Sequence, residues 1–349
     1  MTPSDYQAAT TTASIFDDSA AGKIILRGRD APMFLGNLST NDIAPLPLGG
    51  GCATYFCDAR AKALFQASVY HVRLLPKDHG GEGEHGLKDL VPQPPLRSGE
   101  GEHALWLETS PGRDTALFQH LDRYLISEVV ELENATEMFA QFHLAGPNAK
   151  AILESALAVD LPDLVEFQHV ERTFGHQSTA SLRRRDRLGV PGFDIVCLKE
   201  RAEGIERMLM AAGAVPGTPE TRETLRIEAG SAVYGQDFDE SRFVMEILGA
   251  ANAVSYSKGC YLGQEPIVMS RDRAGHAPRA MVKFRCHDPV KVGSKLFLAA
   301  DEIGVVTSVA DSPRFGPVAL GYVKWKYREP GTALEAELPT GRVTVKIHA

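Results

Sequence analysis

Apolar residues recur with two different periods along this chain. Alternation with a period of two predicts β-strands, and recurrence every three or four residues predicts amphipathic helices. Strands are predicted at 23–27, 52–57, 63–75, 104–109, 128–132 and 139–144. Helices are predicted at 31–38 (with Asp30 as its N-cap), 116–124, 149–157, 202–212 and 221–229. A hairpin is predicted around residues 187–192, where two glycines and a proline interrupt the pattern.

The pattern changes after Arg279. Short apolar runs separated by turn residues follow at 282–286, 294–298, 304–310, 318–323 and 342–347. Such a series predicts a small β-barrel at the C-terminus. We therefore divide the chain into an α+β region at 1–278 and a barrel domain at 279–349.

One segment breaks the periodicity. Residues 76–103 are dominated by Gly, Glu, His and Pro, and the pentapeptide Gly-Glu-Gly-Glu-His occurs twice within them, at 81–85 and 99–103. The His-Glu pairs offer donors to an adventitious metal ion. The composition is more typical of a disordered insertion, and no resident metal is predicted.

Composition limits the function classes. The chain has 349 residues, 44% of them hydrophobic, which is enough for a large core and two or three domains. Its net charge of −8 gives no overall field for nucleic acid, so no direct nucleic-acid partner is expected. The basic run at 183–187 is interpreted as a solvated strand end or loop.

The cysteines and the N-terminus bear on the compartment. Five scattered cysteines favour free thiols in a reducing compartment over a disulfide framework, and none has zinc-site spacing. Residues 1–14 show no leader pattern, and no apolar run is long enough to span a membrane. We expect a cytoplasmic protein. The sequence also lacks the GxGxxG and Walker A patterns of dinucleotide and ATP sites.

The most unusual stretch is Lys-Gly-Cys-Tyr-Leu-Gly-Gln-Glu at 258–265. A lysine beside a thiol favours the reactive thiolate, so Lys258 and Cys260 are candidate catalytic residues. The glycines allow backbone angles or ligand approach that a side chain would block. The alternative is a helix-entry turn with an inert, buried cysteine.

This octapeptide resembles the signature of the YgfZ family, folate-binding iron–sulfur maintenance proteins related to the glycine-cleavage T-protein. Similar blocks occur at 225–230 and 234–237, and near the N-terminus at 30–34 and 40–42. Further family-like positions are Glu246, Arg271, Arg273, Gly275, His276 and Arg279. The resemblance covers nearly the whole chain.

The resemblance implies two interlocked α+β subdomains and a C-terminal barrel around a central cavity. It also implies tetrahydrofolate or a derivative as cofactor, with Cys260 at the cavity edge. Asp194, in Gly-Phe-Asp-Ile, is the candidate for the pterin, because a carboxylate accepts adjacent N–H donors. Arg226, Arg271 or Arg273 would hold the anionic tail of the folate. Glu228, Glu246, Gln264 and Glu265 are the remaining candidate site residues.

One position departs from the T-protein pattern. Aligning residues 58–62 with the family's glycine-rich turn places Gln66 where those enzymes carry an aspartate, and Ala61 where they carry a glycine. A glutamine neither accepts a proton nor holds charge near a developing cation. This difference disfavours aminomethyl transfer.

Three functions follow from these observations. The first is a monomeric, tetrahydrofolate-binding accessory protein for assembly or repair of iron–sulfur enzymes, including radical-SAM tRNA-modifying enzymes, with Cys260 as reactive thiol. The alternative is a tetrahydrofolate-dependent aminomethyltransferase of the glycine-cleavage type. The third is a binding module without chemistry. The sequence favours the accessory role over an enzyme and leaves open whether a reaction is catalysed.

Overall fold

The computed structural model describes residues 3–73, 103–175 and 178–348. Almost all of the predicted insertion at 76–103 lies outside the described residues. Within them the helices are α1 Pro3–Thr11, α2 Ala31–Leu38, α3 Asp114–Tyr124, α4 Ala149–Leu157, α5 Ala202–Ala211, α6 Pro219–Ala229 and α7 Gln264–Asp272. No helix of this part is both long and apolar enough to cross a membrane.

The strands form three sheets. The first ten are β1 Ser14–Asp17, β2 Gly22–Arg27, β3 Gly51–Cys57, β4 Ala63–Arg73, β5 His103–Thr109, β6 Glu131–Asn134, β7 Phe139–Ala145, β8 His169–Phe174, β9 Ser178–Arg184 and β10 Gly192–Leu198. The others are β11 Val215–Pro216, β12 Arg279–Cys286, β13 Lys295–Leu298, β14 Asp301–Ser312, β15 Gly316–Lys324, β16 Ala333–Leu338 and β17 Gly341–His348.

Each sheet is built from consecutive strands, except that β1 joins the sheet formed by β7–β11. A five-stranded sheet has the order β3-β4-β5-β2-β6, and a six-stranded sheet has the order β11-β1-β7-β10-β9-β8. The third sheet closes into a barrel in the order β12-β15-β14-β13-β16-β17. The predicted barrel is therefore confirmed, and the predicted α+β fold with it. Strand β16 was not among the predicted ones, because its sequence, Ala-Leu-Glu-Ala-Glu-Leu, consists of strong helix formers.

The six-stranded sheet has one apolar and one polar face. On the apolar face, Phe142, Phe193 and Ile195 pack with residues of α4 and α5 in one hydrophobic cluster. Because side chains alternate across a strand, the residues at the intervening positions of β7, β9 and β10 point to the other face. These include Gln141, His143, Ser181, Arg183 and Asp194, all of them buried.

The polar face is buried against the five-stranded sheet. The Arg183 guanidinium carbon lies 4.3 Å from the ring centroid of Tyr70 and 4.8 Å from that of Trp106. Its Nη1 donates to Glu108 Oε1 at 2.5 Å. Arg183 is only 1% exposed. The interpretation of 183–187 as a solvated strand end is therefore wrong for this residue, because β9 directs it between two sheets.

Arg226 joins α6 to the barrel. Its five N–H donors are all used: two reach Glu223, and the others reach Asp237, Ser308 and the Ser231 carbonyl. Asp237 in turn accepts from Ser308 in β14 at 2.6 Å. Because every N–H donor of Arg226 is paired, this residue holds α6 in place against the barrel and has no donor left for a ligand.

Two local predictions need correction. The strand predicted at 128–132 is Glu131–Asn134 instead. Asp30 precedes α2 but makes no capping hydrogen bond within the helix. Its Oδ2 accepts from the Val129 amide at 2.7 Å, so Asp30 ties α2 to the start of β6 rather than capping the helix.

Candidate functional site

Asp194 lies at the centre of the six-stranded sheet. It is on β10, directly opposite His143 of β7 and Arg183 of β9. Its side chain is completely buried on the polar face that meets the five-stranded sheet. The structure thus places this predicted pterin residue between two sheets rather than at a strand edge.

The Asp194 carboxylate is ionised and half satisfied. Its Oδ1 accepts from His143 Nδ1 at 2.7 Å and from Arg187 Nη2 at 2.6 Å. Burial opposes ionisation, but the charges of Arg187 and Arg185 and the hydrogen bond from His143 outweigh it and hold the pKa of Asp194 well below its ordinary value. Oδ2 has no hydrogen-bond partner among the described residues. Arg185 Nε lies 3.9 Å from it, close enough for an ion pair but too far for a hydrogen bond, so Oδ2 can still accept one from a ligand.

His143 completes the pair. Burial, followed by the charge of Arg187, lowers the pKa of His143, so the ring is neutral. Since Asp194 accepts at Nδ1, we assign the proton to Nδ1. Nε2 is then an acceptor, and it has no partner in the described structure. A Cβ on Gly192 would lie 3.1 Å from this atom, so the glycine keeps the space beside Nε2 open.

Other buried polar atoms without partners lie on the same facing surfaces. Among the described residues they include Tyr70 Oη, Trp106 Nε1, Gln141 Oε1 and Nε2, Arg185 Nε and Nη1, and His169 Nδ1. Each such atom costs about 1–3 kcal/mol if it stays unpaired. A group of them around one ionised carboxylate indicates a polar ligand site.

Arg187 holds the rim of this site. Besides Asp194 it pairs with Asp18, and Asp18 also pairs with Arg222 of α6 at 2.9 Å. The Arg187 carbonyl accepts from the Ser231 hydroxyl. The β9–β10 hairpin is therefore fixed to both α6 and β1, which positions Arg187 against the carboxylate.

Lys258 does not direct its charge at Cys260. Its Nζ donates to the carbonyls of Gly36, Ser39 at 2.8 Å and Asn41 at 2.7 Å, at the end of α2. An ammonium has three donors, so none remains for the thiol. Burial lowers the pKa of Lys258 to about 8, while the three acceptors favour the charged form. The prediction that Lys258 activates Cys260 has no support in this geometry.

The octapeptide docks on the β3–β4 turn. Gly263 has φ +82°, and a Cβ there would lie 2.5 Å from the Asp58 carbonyl and 2.6 Å from Cys57 Sγ. The Cys57 thiol donates to the Leu262 carbonyl at 3.1 Å. Cys260 itself is exposed, which excludes an inert, buried cysteine. The loop is thus held by its second glycine and presents the thiol to solvent.

The docking point and Tyr70 lie toward opposite ends of one hairpin. Tyr70 pairs with Gly51, whereas Ala63 pairs with Cys57. Tyr70 follows Ala63 by seven positions along β4, which places their backbones roughly 23 Å apart at about 3.3 Å per residue. The structure therefore does not place Cys260 against the Asp194 cluster. Gln66 lies between the two ends, on the face of β4 that carries Tyr70.

The other predicted site residues are dispersed. Glu228 accepts from the Tyr6 hydroxyl at 2.7 Å, and Glu246 is buried at the end of a short 3₁₀ turn. Arg271 stacks on Tyr256 at 4.2 Å and pairs with Asp272. Gln264 and Glu265 begin α7, and Glu265 and Arg273 are exposed. Arg226 is saturated, so the prediction that it holds a folate tail is not supported by its contacts.

The sequence interpretation did not identify His143, Tyr70 or Gln141. A signal for two of them is present in β7, where Gln141 and His143 are the polar residues at alternate positions of a buried strand. Alternation of this kind marks one face of a sheet as polar. Tyr70 carries no such signal, because aromatic residues are common in strands.

Comparison with known proteins agrees with this fold. The GCVT N-terminal domain profile matches residues 99–258, and the glycine cleavage T-protein C-terminal barrel profile matches residues 279–349. Together they match well over half of the chain. A solved aminomethyltransferase T of the glycine cleavage system from Bartonella henselae has TM-score 0.81 at 22% identity, covering 99% of this chain and 88% of that one.

Curated relatives extend over nearly the whole sequence. An aminomethyltransferase of Rubrobacter xylanophilus is 29% identical over 91% of this chain and 78% of its own length. One from Listeria monocytogenes is 26% identical over 98% of this chain and 87% of its own length. The chain is therefore a T-protein-like protein with the T-protein fold. It is related to the aminomethyltransferases of glycine cleavage.

Proposed function

We propose that this protein binds tetrahydrofolate or a close derivative, with its pterin against Asp194. The observation that carries this proposal is the ionised Asp194 carboxylate, whose Oδ2 accepts no hydrogen bond from the described residues. A pterin presents amino and ring N–H donors side by side, and a buried carboxylate is a strong acceptor for such donors. The relatives supply independent support, because they are named aminomethyltransferases.

The surrounding atoms suit the same ligand. Arg185 Nε and Nη1 are buried donors, His143 Nε2 is an acceptor, and the Gln141 amide offers one of each. The pterin of a folate carries a carbonyl oxygen and ring nitrogens as well as donors, so it would need such a mixed set. The Tyr70 ring and hydroxyl add an aromatic surface and one further polar group. These residues would hold and orient the ligand.

For the use of the bound folate, we favour one-carbon transfer of the glycine-cleavage type. Tetrahydrofolate supplies the acceptor for the one-carbon unit when it is bound. This chain would bind the pterin, exclude water between the two sheets and keep Asp194 charged through Arg187. The whole-length similarity to aminomethyltransferases supports this reaction. We propose a monomeric, cytoplasmic protein.

A second candidate is the accessory role in iron–sulfur enzyme maintenance. Two observations favour it. Cys260 is exposed on a loop that Gly263 fixes in place. Gln66, a residue that cannot ionise, lies on the face of β4 where T-proteins are expected to carry an aspartate. In this role Cys260 would be the reactive group and the folate a bound cofactor.

A pair of assays separates the two uses. Reconstitution with the other glycine-cleavage components measures aminomethyl transfer directly, and turnover at about 1 s⁻¹ or faster supports the enzyme. Cells with an iron–sulfur maintenance defect provide the second assay, with wild type and Cys260→Ser. Rescue by wild type but not by Cys260→Ser, without turnover, would support the accessory role. Rescue by both, again without turnover, would leave only a binding module.

A further inference from the structure

A cavity lies between α6 and the barrel, away from Asp194. It has a volume of about 220 Å³ and extends from the β9–β10 hairpin to strands β12 and β15. Its apolar lining includes Leu188, Val190, Ile227, Phe284 and Val318. Neither Asp194 nor His143 contributes to it. The hairpin separates the two sites, because Arg187 turns toward Asp194 while Leu188 and Val190 line this cavity.

The charges of the cavity are unbalanced. Lys283, Arg285 and Arg314 line it, and none of the three forms an ion pair with a carboxylate within the described ranges. Glu228 is the acidic lining residue, and its Oε1 accepts from the Tyr6 hydroxyl, so three cations of the lining face one carboxylate. In a protein of net charge −8 such a local excess of cations is unusual. It favours an anionic occupant.

The cations are arranged around an aromatic ring. The guanidinium carbons of Arg285 and Arg314 lie 4.4 and 4.7 Å from the ring centroid of Phe315. Lys283 is half-buried, and burial together with the charge of Arg285 lowers its pKa. A desolvated ammonium without a counter-ion is stabilised when an anion binds beside it. The cavity therefore combines an apolar interior with a cationic border.

We propose that this cavity is a binding site for a small aromatic monoanion, such as an aromatic carboxylate. Its ring would pack between Val190, Ile227 and Val318. Its carboxylate would accept from Lys283 and Arg285. The size is adequate, since a cavity of about 150 Å³ already accommodates benzene. The site does not depend on the proposed folate function.

Benzoate is the probe for this proposal. We expect saturable binding by calorimetry, with benzamide, its neutral counterpart, binding at least about tenfold more weakly because it lacks the charge. Lys283→Gln should weaken benzoate binding by about tenfold. Arg285→Gln should have the same effect, and because Arg285 is exposed this variant serves if Lys283→Gln does not fold. Lys326→Gln, an equal charge change at an exposed residue just after β15 and outside the cavity lining, should leave binding unchanged. Methyl signals of Ile227 and Val318 should shift on titration.

Several outcomes would overturn the proposal. These are no saturable binding of benzoate, equal affinity for benzamide, or equal weakening by Lys326→Gln. Asp194→Asn distinguishes this site from the folate site, because it should leave benzoate binding intact. Failure of tetrahydrofolate to bind would not affect the benzoate result. Failure of benzoate to bind would likewise leave the proposed folate site untouched.

Discussion

His143 Nδ1 lies 2.7 Å from Asp194 Oδ1, and both side chains are completely buried. The neutral imidazole and the ionised carboxylate are held together in the layer between two sheets. Each keeps one atom that makes no hydrogen bond within the described part of the chain, Nε2 on His143 and Oδ2 on Asp194. The pair therefore presents a ligand with one neutral acceptor, Nε2, and one charged acceptor, Oδ2. The positive charge of Arg187 keeps the carboxylate ionised.

The two glycines of the octapeptide should differ in their tolerance to substitution. Gly263→Ala places a methyl against Asp58 and Cys57 at φ +82°, so we expect a loss of about 2–4 kcal/mol of unfolding free energy. Gly259→Ala, the matched control, meets no atom within 4 Å and should change stability by less than about 0.5 kcal/mol. Urea unfolding of both variants is the measurement. Equal stability of the two would contradict the docking described for this loop.

Arg226 should prove structural. Arg226→Met leaves Asp237 without its buried counter-charge, and we expect a destabilisation of about 3–5 kcal/mol by urea unfolding. Arg207→Met removes an exposed arginine of α5 and should cost less than about 0.5 kcal/mol. A stable Arg226→Met that had lost tetrahydrofolate binding would instead show that Arg226 contacts the ligand.

Stability should fall on mild acidification. Burial, followed by the charge of Arg183, lowers the pKa of His169 to about 3. Because the unfolded side chain titrates near about pH 6.5, the unfolded chain binds the proton first. The contribution of His169 is complete above about pH 6.5 and is lost progressively toward about pH 3, at up to about 1.4 kcal/mol per pH unit.

The His169 prediction is checked with urea midpoints at about pH 7 and about pH 5. His169→Gln should lose about 2 kcal/mol less than wild type over this interval. His287→Gln, a change at an exposed histidine, is the control and should follow wild type. A His169→Gln protein with the full wild-type acid sensitivity would refute the assignment.

A substitution at Gln66 tests whether the bound folate serves aminomethyl transfer or the accessory role. If the protein is a weak aminomethyltransferase, Gln66→Asp should raise its glycine-cleavage rate by about 10²-fold, since a carboxylate restores proton acceptance and negative charge. Gln66→Asn keeps the neutral amide and is the control. A rate that is unchanged in Gln66→Asp would argue that this position has no catalytic part and would strengthen the accessory role.

The sequence predicted most elements because their apolar periodicity is strong. Helices α2 and α4 have the predicted limits, and the barrel follows from turn-separated strands. Asp194 could be predicted from a short motif. Its surroundings could not, because His143, Tyr70 and Arg183 come from three different strands in two sheets. Only the packing of those sheets brings them together.

The errors have the same origin. Charged residues are usually solvated, so the run at 183–187 indicated a surface, whereas Arg183 pairs with Glu108 across the sheets. Adjacency in sequence suggested that Lys258 acts on Cys260. The backbone instead turns Lys258 toward three carbonyls of another segment. Neither contact leaves a local pattern in the chain.

Anaerobic calorimetric titration with tetrahydrofolate, on wild type, Asp194→Asn and the exposed control Asp163→Asn, tests the central claim most directly. We expect wild type and Asp163→Asn to bind alike, and Asp194→Asn to bind about 10–100-fold more weakly. Tyr70→Phe, which removes only an unpartnered hydroxyl, should weaken binding about fivefold and serves if Asp194→Asn does not fold. Unchanged affinity in a folded Asp194→Asn protein would contradict the account.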